Sequence, residues 1–136
     1  MKIYLAGGVL EREEISKYMR KLEAIGYEIT CDWTKSEGLV PGNTSDADLS
    51  DEDQKKFAIA DLKGIDDAYF VWHIVASYKG SRGAYVEIGY ALAKKKILIV
   101  SGPDARKTIF HSFAHHHRDT HQRAFELLEA FAAVPM

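Results

Sequence analysis

The sequence has little of what marks secreted, nucleic-acid-binding or membrane proteins. Its one cysteine, Cys31, excludes an intrachain disulfide and a zinc site made of several cysteines. The 18 basic and 20 acidic residues nearly cancel, so charge gives no reason to expect binding to a nucleic-acid polymer or an acidic membrane. The apolar run at the start is too short for a signal-peptide core or a membrane span. We therefore expect a soluble, cytoplasmic protein whose partner is neither a nucleic-acid polymer nor a membrane.

What the sequence does contain is an alternation of short apolar runs with amphipathic segments. Apolar runs that predict buried strands cover residues 2–6, 27–33, 68–75 and 97–100. Periodicity and helix-start signals predict helices over about 10–25, 51–63 and 83–96, and a last helix capped by Asp119 or Thr120. This order predicts one domain, residues 1–136, with a flavodoxin-like or Rossmann-like α/β fold, in which helices cover both faces of a parallel sheet to give three layers.

Local signals set the expected ends of the first two helices. Gly26 is placed to stop the first helix, and Gly64 to stop the second. Ser50 stands three residues before Asp53, which is the spacing of a capping box at the start of the second helix. Residues 34–50 form a long polar segment, and a loop of this length in a compact domain is more often functional than accidental.

The carboxyl edge of the predicted sheet is where we expect a ligand, because α/β sheets of this kind bind ligands there. That edge would collect Gly7 and Gly8, the loop after Trp33, residues 73–83 and residues 101–102. Gly7 and Gly8 with Ser81 and Gly83 could form a cradle of backbone N–H groups for an anion, although glycines also serve simply to turn a chain.

Two acids and one tyrosine are the candidates for chemistry. Glu87 stands alone among small and apolar residues near a helix start, which favours an active carboxylate over one on the solvent face. Asp61 lies in the last turn of the second predicted helix, and a surface pair with Lys63 or Lys56 explains it equally well. Tyr4 would be buried in the first strand, and its hydroxyl then needs a partner that a carboxylate at the sheet edge would provide.

The histidines and the cysteine have simpler explanations. His111 and His115, or His117 and His121, have the i, i+4 spacing that could hold zinc on a helix. Because no HExxH motif is present, we interpret the run as a polar, partly exposed loop or an oligomer contact, and a metal site is the less favoured interpretation. Cys31 has no evident activating partner and is typical of a small buried hydrophobic residue.

Three motifs, taken in order, give the chain a family resemblance. They are KIYLAGG at residues 2–8, DLKGIDDAYFV at 61–71 and GAYVEIGYALA at 83–93. Together they resemble the nucleoside 2-deoxyribosyltransferase family, which includes the 2′-deoxynucleoside 5′-phosphate N-hydrolases and other nucleotide N-glycosidases. The resemblance covers residues 1 to about 102.

By this resemblance, Glu87 corresponds to the nucleophile that attacks the anomeric carbon of the sugar and forms a glycosyl-enzyme intermediate. Tyr4 corresponds to a tyrosine that orients this carboxylate, and Asp61 to the acid that handles the proton of the leaving base. Gly7 lies in a loop that packs beside the sugar. A carboxylate on one side of the sugar and an acid near the base are the two groups that a retaining glycosidase needs.

Two positions depart from the family pattern. Ser81 stands where the deoxyribosyltransferases carry an aspartate that reads the base, and nucleotide hydrolases commonly have a serine there that helps hold the 5′-phosphate. Gly8 stands where many relatives have proline or serine. Lys79 and Arg82 flank Ser81 and favour a 5′-monophosphate, although both are also ordinary surface cations. His73, at the end of the third strand, either faces the base or is an ordinary strand-end histidine.

The resemblance implies an enzyme that needs no metal or organic cofactor and takes a (2′-deoxy)nucleoside or its 5′-monophosphate as substrate. The sugar would pass to another base or to water, and the sequence favours neither. Relatives are homo-oligomers in which a neighbour completes the site, so a homodimer or higher assembly is expected. Two other functions stay open: a non-catalytic nucleotide-binding module, which the intact Tyr4, Asp61 and Glu87 disfavour, and a metal-dependent hydrolase that uses the histidine run.

Overall fold

The computed structural model describes residues 1–35, 49–75, 82–103, 105–106 and 108–134. Most of the segment predicted to be a functional loop, residues 34–50, lies outside these ranges, as do Lys79 and Ser81. Within the described ranges, no helix is both long enough and apolar enough to cross a membrane.

Strands and helices alternate through the described residues. The strands are β1 (Lys2–Ala6), β2 (Glu28–Ile29), β3 (Phe70–Ile74), β4 (Ile97–Ser101) and β5 (His116–Arg118). The α-helices are α1 (Arg12–Ala24), α2 (Asp51–Asp67), α3 (Arg82–Ala93) and α4 (His121–Ala132). Single 3₁₀ turns cover Val9–Glu11, Trp33–Lys35 and Ile109–Phe113.

The sheet has the strand order β2-β1-β3-β4-β5, and every pairing in it is parallel. Helix α1 contacts α4, and α2 contacts α3, which gives a helical layer on each side of the sheet. This is the flavodoxin-like order, in which the chain reverses direction across the sheet between β1 and β3. The predicted three-layer α/β fold is confirmed, and the histidine-rich segment supplies its edge strand β5.

The core lies on both faces of the central strands. All five residues of β3 are buried, as expected for a strand covered by helices on both sides. Helix α1 buries Ile15, Tyr18, Met19 and Leu22, the face that its helical period predicts. Gly26 follows this helix with φ +102°, a conformation that suits glycine, so its predicted role as a helix stop is confirmed.

Strand β2 is shorter than the predicted strand over residues 27–33. Pairing with β1 ends after Ile29, and the chain turns where the Asp32 side chain accepts a hydrogen bond from the Thr34 backbone N–H at 3.1 Å. Such aspartate-centred turns compete with strand pairing. Trp33 therefore leaves the strand, and its indole Nε1 donates to the carbonyl of Leu5 at 2.8 Å.

Helix α2 starts as predicted but does not end at Gly64. The Ser50 hydroxyl caps the helix by accepting from the Asp53 backbone N–H at 3.1 Å. The helix then runs through Gly64 to Asp67, and Gly64 is buried. A Cβ at Gly64 would lie 2.7 Å from Cys31 Cβ and 3.0 Å from Tyr4 Cδ2. The glycine is thus a point of close approach between α2 and β1 and not a stop signal.

This close approach predicts opposite effects for two helical glycine-to-alanine changes. Gly64→Ala should lower the free energy of unfolding by about 1–3 kcal/mol, because the new methyl group overpacks against Cys31 and Tyr4. Gly89→Ala in α3 is the matched control, since a Cβ there meets nothing within 4 Å. That change should raise stability by up to about 1 kcal/mol through helix propensity. Urea denaturation measures both, and a Gly64→Ala protein as stable as Gly89→Ala would contradict the packing argument.

Candidate active site

A cleft of about 450 Å³ opens at the carboxyl edge of the sheet, beside the end of β1 and the start of α3. Among the predicted site residues, five line it: Tyr4, Gly7, Asp61, Gly83 and Glu87. They come from β1, the turn after it, α2 and the first turns of α3. The fold therefore gathers side chains and glycines that are far apart in sequence into one concave site.

Tyr4 and Glu87 are joined by a hydrogen bond at the floor of this cleft. Tyr4 is fully buried in β1, and its hydroxyl donates to Oε2 of Glu87 at 2.5 Å. Glu87 is half-buried on α3 and lies on the helix face that lines the cleft, not on a solvent face. A hydroxyl buried this deeply needs a partner, and a charged acceptor gives the stronger bond. The contact fixes the orientation of the carboxylate.

The surroundings of Tyr4 keep its hydroxyl protonated. Burial raises the pKa of Tyr4 well above its usual value, and the negative charges of Glu87 and Asp61 raise it further. Tyr4 is therefore a hydrogen-bond donor throughout the neutral range, and Glu87 is the acceptor.

Asp61 stands near the middle of α2 and is half-buried in the cleft wall. The prediction that it occupies the last turn of the helix is wrong, because α2 continues past Gly64. Lys63, one of its suggested surface partners, instead lies 2.9 Å from Asp67. Cys31 contacts Asp61, and its Sγ donates to Oδ1 at 3.6 Å.

Cys31 was predicted to be a small buried hydrophobic residue with no activating partner, and it differs from this prediction in its burial and in its polar contact. It is only half-buried, and its thiol lies against an acid of the cleft. Burial raises the pKa of Cys31 to about 12, and the charge of Asp61 and the hydrogen bond to it act in the same direction. The thiol therefore keeps its proton and acts as a donor to Asp61. Sequence offered no signal for this contact, because the two residues are 30 positions apart.

Most of the cleft wall is apolar, and the sequence did not identify the residues that form it. Trp33 and Phe57 contribute aromatic rings, and smaller apolar side chains come from Val9, Leu49, Ala58, Leu62 and Val86. Helix α2 lines the cleft at Gln54, Ala58 and Asp61, the i, i+4, i+7 spacing of one helix face. That spacing was the available signal, because any residue on the face of Asp61 belongs to the same wall. A cleft with aromatic side chains in its wall suits a flat ring.

The two glycines that follow β1 differ in their relation to the cleft. Gly7 is tightly packed, since a Cβ there would collide with the side chain of Ile15. Gly8 follows it, and its carbonyl accepts from the Glu11 backbone N–H at 3.0 Å, outside the cleft wall formed by the described residues. Ser81 lies outside the described residues.

His73 is buried inside the fold. Its Nδ1 lies 3.1 Å from Nε2 of His111, and its ring packs edge-on against Tyr85. Burial lowers the pKa of His73 to about 3, helped by the nearby His111 and His121, so the ring is neutral at physiological pH. Within the described residues His73 is not part of the cleft wall, and its predicted contact with a base stays a prediction.

The histidine-rich segment is partly exposed, as predicted, but it forms a 3₁₀ turn and the edge strand β5 where a loop was predicted, and the oligomer contact stays a prediction. His111 is fully buried, and its carbonyl lies 2.8 Å from Nε2 of His117. His115 Nδ1 accepts from the Leu98 backbone N–H at 3.0 Å, and His121 Nδ1 lies 2.7 Å from the Ser101 hydroxyl. The helical spacing that zinc would need is not formed, because His111 lies in a 3₁₀ turn and His117 in β5. Among the described residues, no three potential ligands are grouped for a metal ion.

The protein is thus a flavodoxin-like α/β protein in which two carboxylates and a tyrosine line one cleft. A model of the nucleoside 2-deoxyribosyltransferase family matches residues 3–131, and the chain belongs to this family. The resemblance that the motifs indicate is confirmed, and it extends past residue 102 to the last helix. Family membership supports an activity of the deoxyribosyltransferase and N-glycosidase class.

Solved structures agree with this fold. The CMP N-glycosidase BcmB of Clostridium botulinum has a TM-score of 0.62 and 17% identity, and the match covers 96% of this chain and 98% of that one. A conserved protein of Enterococcus faecalis V583 scores 0.70 at 13% identity over 96% and 98% of the two chains. A 2-deoxyribosyltransferase from Bacillus psychrosaccharolyticus scores 0.67 at 16% identity over 100% and 93%. At these identities the likeness shows the fold alone. Among curated proteins, no sequence matches this chain significantly.

The contact between Cys31 and Asp61 predicts a change in thiol reactivity. Asp61→Asn removes the negative charge beside the thiol, so the pKa of Cys31 should fall and the thiolate should form at lower pH. Each decrease of one unit in the pKa of Cys31 raises the thiolate fraction about tenfold at mildly alkaline pH. The rate of alkylation by iodoacetamide against pH, followed by protein mass, measures this without ambiguity because the chain has one cysteine.

Asp67→Asn is the matched control for this measurement. It removes an acid from the same helix that pairs with Lys63 on the surface, and it should leave the alkylation profile unchanged. Coincident profiles for Asp61→Asn and the unmodified protein would show that Asp61 does not act on the thiol.

Proposed function

We propose that this protein cleaves the N-glycosidic bond of (2′-deoxy)nucleosides or their 5′-monophosphates, with Glu87 as the nucleophile. The observation that carries the proposal is the 2.5 Å hydrogen bond from the buried Tyr4 hydroxyl to the Glu87 carboxylate, in a cleft that Asp61 also lines. An oriented carboxylate and a second acid in one site are the groups that this chemistry requires.

In the first step a carboxylate oxygen of Glu87 attacks C1′ of the sugar, and the bond from C1′ to the base nitrogen breaks. The electron pair of that bond leaves with the base, which takes up a proton from Asp61, whose carboxylate binds this proton from solvent before the bond breaks. The transition state has oxocarbenium character, and a 2′-deoxy sugar reaches it more readily because it lacks an electron-withdrawing hydroxyl. The product is a covalent ester between C1′ and Glu87.

In the second step an acceptor attacks C1′ and releases Glu87 as a carboxylate. The acceptor loses its proton to Asp61, which restores the starting state. Because Tyr4 stays protonated, it donates to the negative charge that returns to Glu87, and this stabilises the leaving carboxylate. Water as the acceptor gives a hydrolase, and a second base gives a transferase.

The rest of the cleft suits the parts of a nucleotide. The rings of Trp33 and Phe57 offer faces for a base, and Gly7 and Gly83 line the cleft together with Glu87, where the sugar would lie. Support for a 5′-phosphate comes from Ser81 with its cationic neighbours in the sequence and from the start of α3 at Arg82, since helix N-termini favour anions. We extend the proposal to one domain over residues 1–136 that acts as a homodimer or higher homo-oligomer and needs no cofactor.

Release of free base from matched nucleosides and 5′-monophosphates, with and without an acceptor base, tests this function. Chromatography should detect free base with the unmodified protein, and Glu87→Gln should lower the rate by at least about 10³-fold because an amide is a poor nucleophile. Glu126→Gln is the control, since Glu126 is exposed on α4, away from the cleft wall of the described residues. A product that appears only with an acceptor base would identify a transferase.

Two results would contradict the proposal. Absence of free base with every substrate would favour a non-catalytic nucleotide-binding module. Full activity in Glu87→Gln would remove this residue from the mechanism.

A further inference from the structure

Gln54 occupies a position in the cleft that the proposed chemistry does not use. It lies on the same face of α2 as Ala58 and Asp61, two helical turns before the acid. Seven residues of α-helix span about 10 Å along the axis. One base, one hydrogen bond of about 3 Å and the length of a glutamine side chain fill that distance. A base that leaves next to Asp61 and extends along α2 therefore ends at Gln54.

The orientation of the Gln54 amide is fixed by a neighbouring carbonyl. Its Nε2 donates to the backbone carbonyl of Leu49 at 2.9 Å. The reverse orientation would place Oε1 against a carbonyl oxygen, so the nitrogen must face Leu49. Oε1 is the acceptor left to meet a ligand, together with the second N–H of the amide, and none of the described residues donates a hydrogen bond to Oε1. The side chain is half-buried, so water only partly replaces the hydrogen bond that Oε1 loses when a ligand offers it no donor.

A fixed acceptor at the end of the cleft distinguishes two kinds of base edge. An exocyclic amino group, as in cytosine or adenine, can donate to Oε1 of Gln54. The keto oxygen in the same place, as in uracil or hypoxanthine, would face another oxygen and lose a hydrogen bond to water on binding.

Lys55 is the competing group, because it also lines the cleft and its ammonium could donate to a keto oxygen. Its side chain is exposed, however, and it is the next residue along the helix, so it points about 100° away from Gln54. A hydrated, flexible ammonium discriminates less than an amide that is held by a second hydrogen bond.

We infer that Gln54 selects substrates whose base carries an exocyclic amino group over their keto counterparts. This inference rests on the proposed function and names the substrate class of the same site.

Matched substrate pairs test the inference, because each pair differs only at the amino or keto position. The unmodified protein should favour cytosine over uracil substrates, and adenine over hypoxanthine substrates, by about 10- to 100-fold in kcat/KM. Gln54→Met keeps the length and helix propensity of the side chain but removes the acceptor, and it should bring both ratios close to one. Gln54→Lys offers only donors and should reverse them.

Two further variants serve as comparisons. Gln122→Leu changes an exposed glutamine of α4 that contacts Lys21 and should leave the ratios unchanged. Lys55→Met should change kcat/KM by the same factor for both members of a pair. Three results would each overturn the assignment. The unmodified protein could show ratios near one or in favour of keto bases. The preference for amino bases could survive in Gln54→Met, or it could be lost only in Lys55→Met.

Binding to the Glu87→Gln protein separates this inference from the proposed function. Calorimetry with the same pairs measures the preference without turnover. A preference for amino bases in binding, with no base released by the unmodified protein, supports the role of Gln54 and contradicts the N-glycosidase proposal. Base release by the unmodified protein, with equal binding of both members of each pair, supports the N-glycosidase proposal and contradicts the role of Gln54.

Discussion

The hydrogen bond between Tyr4 and Glu87 is the constraint on which the site depends. Tyr4 is fully buried, so its hydroxyl would lose a hydrogen bond to water without a partner, and the Glu87 carboxylate is that partner. The bond joins β1 to α3 across 83 residues of sequence. It therefore couples the central sheet to the helix that carries the proposed nucleophile, and it fixes the orientation of that carboxylate in the cleft.

The second constraint is the close approach of α2 to the same strand. Gly64 allows the helix backbone to lie against Tyr4 and Cys31, and this places Asp61 in the wall opposite α3. Cys31 then donates to Asp61 from the end of β2. Both acids are thus held on regular secondary structure and contacted by a neutral donor from the sheet side. Rigid placement of this kind lowers the cost of orienting catalytic groups.

Much of this architecture follows from the sequence, because hydrophobic period and motif order are local properties. The alternation of strands and helices, the cap at Ser50 and the stop at Gly26 were all predicted from neighbouring residues. Gly64 was misjudged because glycine in a helix usually signals its end, whereas here tertiary packing decides its role.

Apart from the contact between Tyr4 and Glu87, which the family motifs indicated, contacts between distant segments were not predictable in this way. The thiol of Cys31 meets Asp61 only after the sheet and α2 assemble. His111 looked exposed in a polar run, but it is buried against His73 because the fifth strand draws its segment onto the sheet edge. The aromatic wall of Trp33 and Phe57 likewise comes from two separate elements.

The rate of base release by the Tyr4→Phe protein tests the central claim most directly. Loss of a hydrogen bond to a charged group costs about 1.5–3 kcal/mol, so kcat should fall about 10- to 100-fold while urea denaturation still shows a folded protein. An unchanged kcat in a folded Tyr4→Phe protein would show that the carboxylate of Glu87 does not depend on Tyr4, and the account of the site would fail.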